Sequence, residues 1–381
     1  MTQRIYLDCN SSTRIDKRVL QAIVQELEEE EGNPSSLHVQ GQWCRRKLEQ
    51  SRQLIARFLR VQPTDLIFTS GGTEGAYLLL YGILKRSLAG HIITSSVEHS
   101  CIYQTVREFE KQGYEATFLP TGLWGAVRPE AVKEAIRPDT RLITLMSVNN
   151  ETGVKTDIEG IAEIASQANI PFVVDGVALL GKESFSIPKG VSAMFFSGHK
   201  IHAPKGVGVC FCKQFLKLAP LFVGGSQEFN RRAGTENLPG IVGLAEAIAI
   251  LEKEQDAITR HLKERRDQLE QGLINRLGEV VVNGQGPRIA NTTNISFLGV
   301  DGEALLINLD MAGISVSHGS ACSSGALEPS RILLNMGITH AQAASAIRFS
   351  VGRTTTAQEI DKAIEIIAAM VERMRSLKRT S

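Results

Sequence analysis

None of the six cysteines stands in a CxxC pair, which leaves a zinc site or a thioredoxin-like redox motif without support. No apolar run approaches the roughly 20 residues that a bilayer-spanning helix needs. The opening MTQRIYLDCN lacks the apolar core of a secretory signal. An excess of one charge is missing too: 42 basic against 41 acidic residues give +1, which offers nothing to nucleic acid or an anionic membrane. There are no internal repeats and no low-complexity tracts. What is present, 43% hydrophobic and 22% charged residues, is ordinary for a globular protein. The expected address is the cytoplasm, where thiols stay reduced. A length of 381 residues suggests two domains, or one large domain with a smaller lobe.

From about Asp65 to Lys213, short β-rich runs alternate with helical patterns. LIFTS, HIITSS, YEATFLP, RLITLMSV, PFVVDG, AMFFSG and GVGVCFC read as seven strands, with helix-like segments such as CIYQTVREFEKQG between most of them. Such alternation implies an α/β fold with a mostly parallel, doubly covered sheet. Ligands of these sheets sit beyond the carboxyl ends of the strands, and Ser70, Ser96, Asn150, Asp175 and Lys200 fall at or just after such ends. A long helical pattern from about Leu238 to Leu269 bridges to a second region, where VVVNG, NTTNISFLG and AIRFSVG read as strands. The expected division is a large α/β domain over 15–250, and a small α+β domain built from 1–14 and 251–381.

Lys200 ends the apolar run Ala193–Phe196 within AMFFSGHK. Burial lowers the pKa of an amine, and a lowered pKa lets lysine form Schiff bases with aldehydes. Ser197, Gly198 and His199 beside it offer hydrogen bonds to an anion, so a phosphorylated carbonyl cofactor, pyridoxal 5′-phosphate (PLP), fits both demands. A snorkelling loop lysine is the competing account. Gly72 and Thr73, after LIFTS and at a helix start, make a phosphate cradle or a simple turn with its cap. Asp175 ends PFVVD, where a carboxylate needs a cation or donors; it suits a pyridinium nitrogen or a strand-to-loop turn. His99 would stack on a ring and shuttle protons, or merely cap a loop. Asn150 would bond a phenolic oxygen or shape a turn. Arg348, mid-strand in AIRFSVGR, would clamp an α-carboxylate or pair structurally. Cys210 and Cys212 alternate in a strand as core, whereas Cys322 lies in SHGSACSSGA, a small, polar segment that presents a thiol to solvent.

In order, IYLDCNSST, GNPSSLHVQG, TSGGTEG, SSVEHS, SVNNETGV, SGHKIHAPKGVG, RRAGTENLP, SHGSACSSGALEPS and AIRFSVGR resemble the cysteine desulfurases, PLP enzymes of fold type I within the class-V aminotransferases. The resemblance runs nearly end to end. It implies a PLP-dependent transferase that converts L-cysteine to L-alanine and carries the sulfur as a persulfide on Cys322. It further implies that Lys200 holds PLP covalently, His99 stacks on it, and Asp175 faces its ring nitrogen. Gly72, Thr73, Ser197 and His199 would bind the phosphate, with Thr235 reaching across a homodimer. Asn150 would contact the ring oxygen, while Asn294 and Arg348 hold the substrate carboxylate. No metal is implied. The implied acceptors are an iron–sulfur scaffold or a tRNA-thiolation enzyme.

The chain departs from the family pattern in four places. Ala178 replaces the usual glutamine of VDATQS, Gly224–Asn230 replaces GGGQERG, Ala76-Tyr77 replaces a polar pair, and Arg14 replaces the proline of ATTP. Two rival readings follow: a C–S or selenocysteine lyase on the same scaffold, and a weakly active sulfur-transfer scaffold.

Overall fold

The structure, a computed structural model, describes residues 4–29, 31–87, 89–319 and 329–380. Twelve strands run through the described residues. The first, β1 (Ile5–Tyr6), precedes the seven of the main sheet: β2 (Leu66–Thr69), β3 (His91–Ser95), β4 (Glu115–Leu119), β5 (Thr140–Met146), β6 (Phe172–Asp175), β7 (Ala193–Ser197) and β8 (Gly208–Cys212). They correspond to the seven runs expected from the sequence. β9 (Val280–Val282), β10 (Thr292–Phe297), β11 (Ile314–Ser315) and β12 (Ala346–Ser350) follow.

The main sheet has the order β2-β8-β7-β6-β5-β3-β4, and every pairing is parallel except the two made by β8. Side chains alternate across a strand with period two, and this alternation separates two apolar faces. Ile67, Ile92, Leu142, Val173, Phe195 and Cys210 turn to the face covered by the helices Gly72–Leu84 and Ser100–Lys111. Phe68, Ile93, Ile143, Val174, Phe196 and Val209 turn to the other, under Val39–Leu59 and Leu238–Arg276. Cys210 and Cys212 are therefore core thiols, and Cys9, Cys101, Cys210 and Cys212 are outside any disulfide.

The helix Leu238–Arg276 is capped by the Asn237 side chain, which accepts from the Gly240 N–H, and has proline in its first turn. Its 39 residues reach about 58 Å and run without a break through position 250. Beyond it, β12-β10-β9 form an antiparallel sheet. β1 pairs in parallel with β11, so the amino-terminal strand is bound to residues some three hundred positions later. Leu7 then donates its N–H to Ser315 and receives that of Ser350.

The departure at Gly224–Asn230 has a structural counterpart. Glu228, Phe229 and Asn230 all take left-handed φ values of 46°, 57° and 63°, costly for non-glycine residues. The turn is held by a buried bidentate pair: Arg52 Nη2 and Nη1 donate to Glu228 at 2.6 and 3.0 Å. The Phe68 N–H donates to the same carboxylate at 2.8 Å, and the Phe68 and Phe229 rings lie against the guanidinium. Removing one partner of such a pair leaves an uncompensated buried charge, which costs about 3–5 kcal/mol. Glu228→Ala is expected to lose that much in urea unfolding. A loss under about 1 kcal/mol would show that the turn is held by other contacts.

Candidate active site

A cavity of about 290 Å³ opens beyond the carboxyl ends of β6 and β7, which pair side by side. Gly72, Thr73, His99, Asn150, Asp175, Ser197, His199, Lys200 and Arg348 all line it, together with Ala178. Asn294 and Thr235 do not. Asn294 lies on β10 opposite Arg348, buried, with its side-chain oxygen taken by Asn283 Nδ2 at 2.7 Å. Thr235 is exposed in the segment before the long helix. Cys322 lies outside the described residues.

Lys200 follows β7 on a single turn of 3-10 helix. Its ammonium reaches the amino-terminal segment, donating to the carbonyl oxygens of Asn10 and of Ser11, the latter at 2.7 Å. Asp175 ends β6 and accepts from the Val177 N–H at 2.9 Å. Burial pushes its carboxyl up to about 6, against the pull of that N–H and of Lys200.

His99 caps the helix Ser100–Lys111: its Nδ1 accepts from the Cys101 N–H at 3.1 Å, and the Cys101 Sγ lies at the same distance. A backbone N–H can only donate, so Nδ1 holds a lone pair there and the ring proton sits on Nε2. Burial, then the charges of Lys200, Arg331 and Arg348, hold the imidazole down at about 4. It is neutral at physiological pH.

The helix Gly72–Leu84 starts after Gly71, whose φ of 154° is open only to glycine, and no side chain caps its free N–H groups. Glu74, in its first turn, is turned away and held by Arg232 at 2.8 Å and by the Ser70 N–H. Ser197 and His199 stand on the same wall. Uncapped amides at a helix start suit a phosphate.

PLP needs a phosphate cradle, a carboxylate for the ring nitrogen, a donor for the ring oxygen and an amine for the aldehyde. The uncapped amides, Asp175 and Lys200 supply three of these. Asn150 supplies the fourth: its Oδ1 is buried without a partner, and with the amide turned over that position presents an N–H. The residues present fit the cofactor.

Arg348 pairs structurally, as one of the two readings of its sequence expects. Its Nη2 donates to Asp8 at 2.8 Å and to Ser317 Oγ at 3.0 Å, and its Nη1 to the Asn150 carbonyl at 3.1 Å. Its Nε is buried and unpartnered at the cavity wall. Three lining residues carried no signal in the sequence. Lys182 is 5% exposed, donates to the Lys200 carbonyl at 2.8 Å, and is held down at about 8 by burial. Cys9 and Cys101 also line the cavity, and burial raises both thiols, Cys9 to about 11.

Comparison with known proteins agrees with this geometry. The family model for class-V aminotransferases matches residues 5–363. Cysteine desulfurase 2 of Trichormus variabilis is 40% identical, over 98% of this chain and 94% of its own. The cysteine desulfurase IscS of Dictyoglomus turgidum is 38% identical, over 99% and 97%. Among solved structures, a NifS-like protein superposes with a TM-score of 0.90 at 31% identity, covering 97% of this chain and 100% of its own. A NifS-like protein from Rickettsia africae gives 0.88 at 30%, with the same coverage.

Proposed function

The chain belongs to the class-V aminotransferase family and, within it, to the PLP-dependent cysteine desulfurases, and from that premise we propose how its residues divide the work. The substrate is L-cysteine, the products are L-alanine and a persulfide on Cys322, and the sulfur goes on to an iron–sulfur scaffold or a tRNA-thiolation enzyme. The observation that carries this reading is the meeting of Lys200, Asp175 and His99 on one cavity wall.

Lys200 would hold the cofactor covalently. Asp175 would face its ring nitrogen and Asn150 its ring oxygen, with the Gly72 and Thr73 amides, Ser197 and His199 on the phosphate. The bound cofactor supplies an electron sink that acidifies the substrate Cα–H and loosens the C–S bond. Lys200, once released from the Asn10 and Ser11 carbonyls, is the base placed to take the α-proton. His99 donates from Nε2 and does not accept while its Nδ1 caps the helix. The proton of Cys322 would therefore go to the substrate amine rather than to His99.

Arg348 would take the substrate carboxylate through its unpartnered Nε, held in place by Asp8. Hydrogen bonds to charged groups contribute about 1.5–3 kcal/mol, so Arg348→Ala should raise KM for cysteine about 10- to 150-fold. Unchanged saturation would leave this arginine a structural role only.

Ala178 stands on the cavity wall. Ala178→Gln should add a donor beside the ring oxygen and shift the pH titration of the lysine-bound cofactor's absorbance. A net bond of about 1 kcal/mol corresponds to somewhat under one pKa unit. A titration that does not move would place position 178 away from the ring.

We further propose a cytoplasmic homodimer, with Thr235 serving the partner's phosphate site; its exposure fits that role. No helix among the described residues is long and apolar enough to cross a membrane. The deciding assay follows L-cysteine with a reductant: alanine and sulfide in equal amounts support a desulfurase, whereas pyruvate and ammonia would mark a lyase.

A further inference from the structure

Arg14, the residue standing where relatives of this type carry proline, lines a second cavity of about 710 Å³. The segment Arg14–Arg18, the middle of the helix Leu238–Arg276, and Arg353 enclose it. Two carboxylates lie on its wall, Asp16 and Glu254, and Arg18 takes both. Its Nε and Nη2 donate to Asp16 at 3.1 and 2.9 Å, and its Nη1 donates to Glu254 at 2.6 Å. Asp16 also accepts the Arg18 N–H at 2.9 Å. Arg353 is left with one 3.5 Å approach to Asp16, and its Nη1 and Nη2 are both buried without a hydrogen bond. Nε2 of His261, on the long helix and also lining the cavity, is buried and unpartnered as well. Arg14 and Lys17 are exposed and pair with no described carboxylate.

The cavity therefore has its acids neutralised and its cations unspent. A guanidinium without acceptors matches the planar or tetrahedral oxygens of carboxylate and phosphate. We propose that this cavity binds a small polyvalent oxyanion, a phosphate ester or a polycarboxylate, with Arg353 and His261 as its inner donors and Arg14 and Lys17 as its outer ones. The site is distinct from the cofactor cavity, with no lining residue in common, yet one amino-terminal segment serves both. Thr13 donates its N–H and hydroxyl to the His199 carbonyl, and Asp16 its N–H to that of His202, so the same segment braces the turn that carries Lys200.

The test is isothermal titration of the PLP-loaded enzyme with pyrophosphate and with citrate at fixed ionic strength, so that the cofactor's own phosphate cradle is filled. Saturable one-to-one binding of either anion is expected. Pyrophosphate alone would point to a phosphorylated ligand, and citrate alone to a polycarboxylate. Arg353→Gln should weaken binding about tenfold or more. Should that buried substitution prevent folding, the exposed pair Arg14→Ser with Lys17→Ser decides by the same measure. Failure of both anions to saturate, or affinity unchanged in a folded variant, overturns the proposal.

Discussion

Lys200→Ala is expected to leave no measurable alanine production from L-cysteine. Two functions go at once: the covalent attachment of PLP, and the base for the α-proton, which by itself contributes about 10²–10⁴-fold. The cofactor should still bind, because the uncapped amides, Asp175 and Asn150 are untouched. Lys182 sharpens this experiment. It lines the same cavity, and burial brings its amine down to about 8, so about a tenth of it is neutral near pH 7. It is nonetheless committed to the Lys200 carbonyl at 2.8 Å, a backbone acceptor that survives the alanine substitution. Borohydride reduction followed by peptide mapping should therefore mark Lys200 in the wild type and no residue in the variant. Turnover retained by Lys200→Ala would remove the lysine assignment altogether.

Cys322→Ser should abolish the protein-bound persulfide while leaving the cofactor's absorbance and its response to added cysteine intact. Serine cannot take up the sulfur, and the other cysteines are poorly placed to substitute. Cys210 and Cys212 are buried in the sheet's core, and Cys44 is also buried. Cys9 and Cys101 do reach the cavity, but the thiolate is the nucleophile. A thiol pushed up to about 11 is ionised at about one part in 10⁴ at pH 7. Alkylation and mass analysis after single turnover will locate the label. A persulfide of wild-type yield in the serine variant would give the role to another thiol.

The seven-stranded sheet was legible because each strand is an apolar run closed by a polar or glycine residue. Asp175 and Lys200 stood out for the same reason, as charges at the ends of such runs. His99 was legible as a candidate, but its tautomer was not, since that depends on which backbone N–H it caps. The seat of Lys200 was hidden for a different reason: it consists of carbonyl oxygens at Asn10 and Ser11, which every residue carries alike. Asp8, which holds Arg348, lies 340 positions away, and no local pattern links the two. Asn294 was drawn to the substrate carboxylate by resemblance; it does not line the cavity, and its side-chain oxygen accepts from Asn283, a partner no local pattern marks. Backbone acceptors and distant partners leave no mark on a linear pattern.

The pairing of β1 with β11 sets an order of events during synthesis. The ribosome delivers residues 5–11 some three hundred positions before Ile314 and Ser315, the residues with which their strand pairs. The bridge from Asp8 to Ser350 waits longer still. Contacts so far apart in sequence form late, because closing the loop between them costs entropy before any contact offsets it. The strand leading into the carbonyl seat of Lys200 thus gains its own partner only after Ser315 has emerged, although the sheet that bears the lysine can assemble much earlier. A nascent chain halted before Ile314 is expected to display a folded sheet and an unseated lysine, detectable as a faster reaction of that amine with small aldehydes than in the released protein.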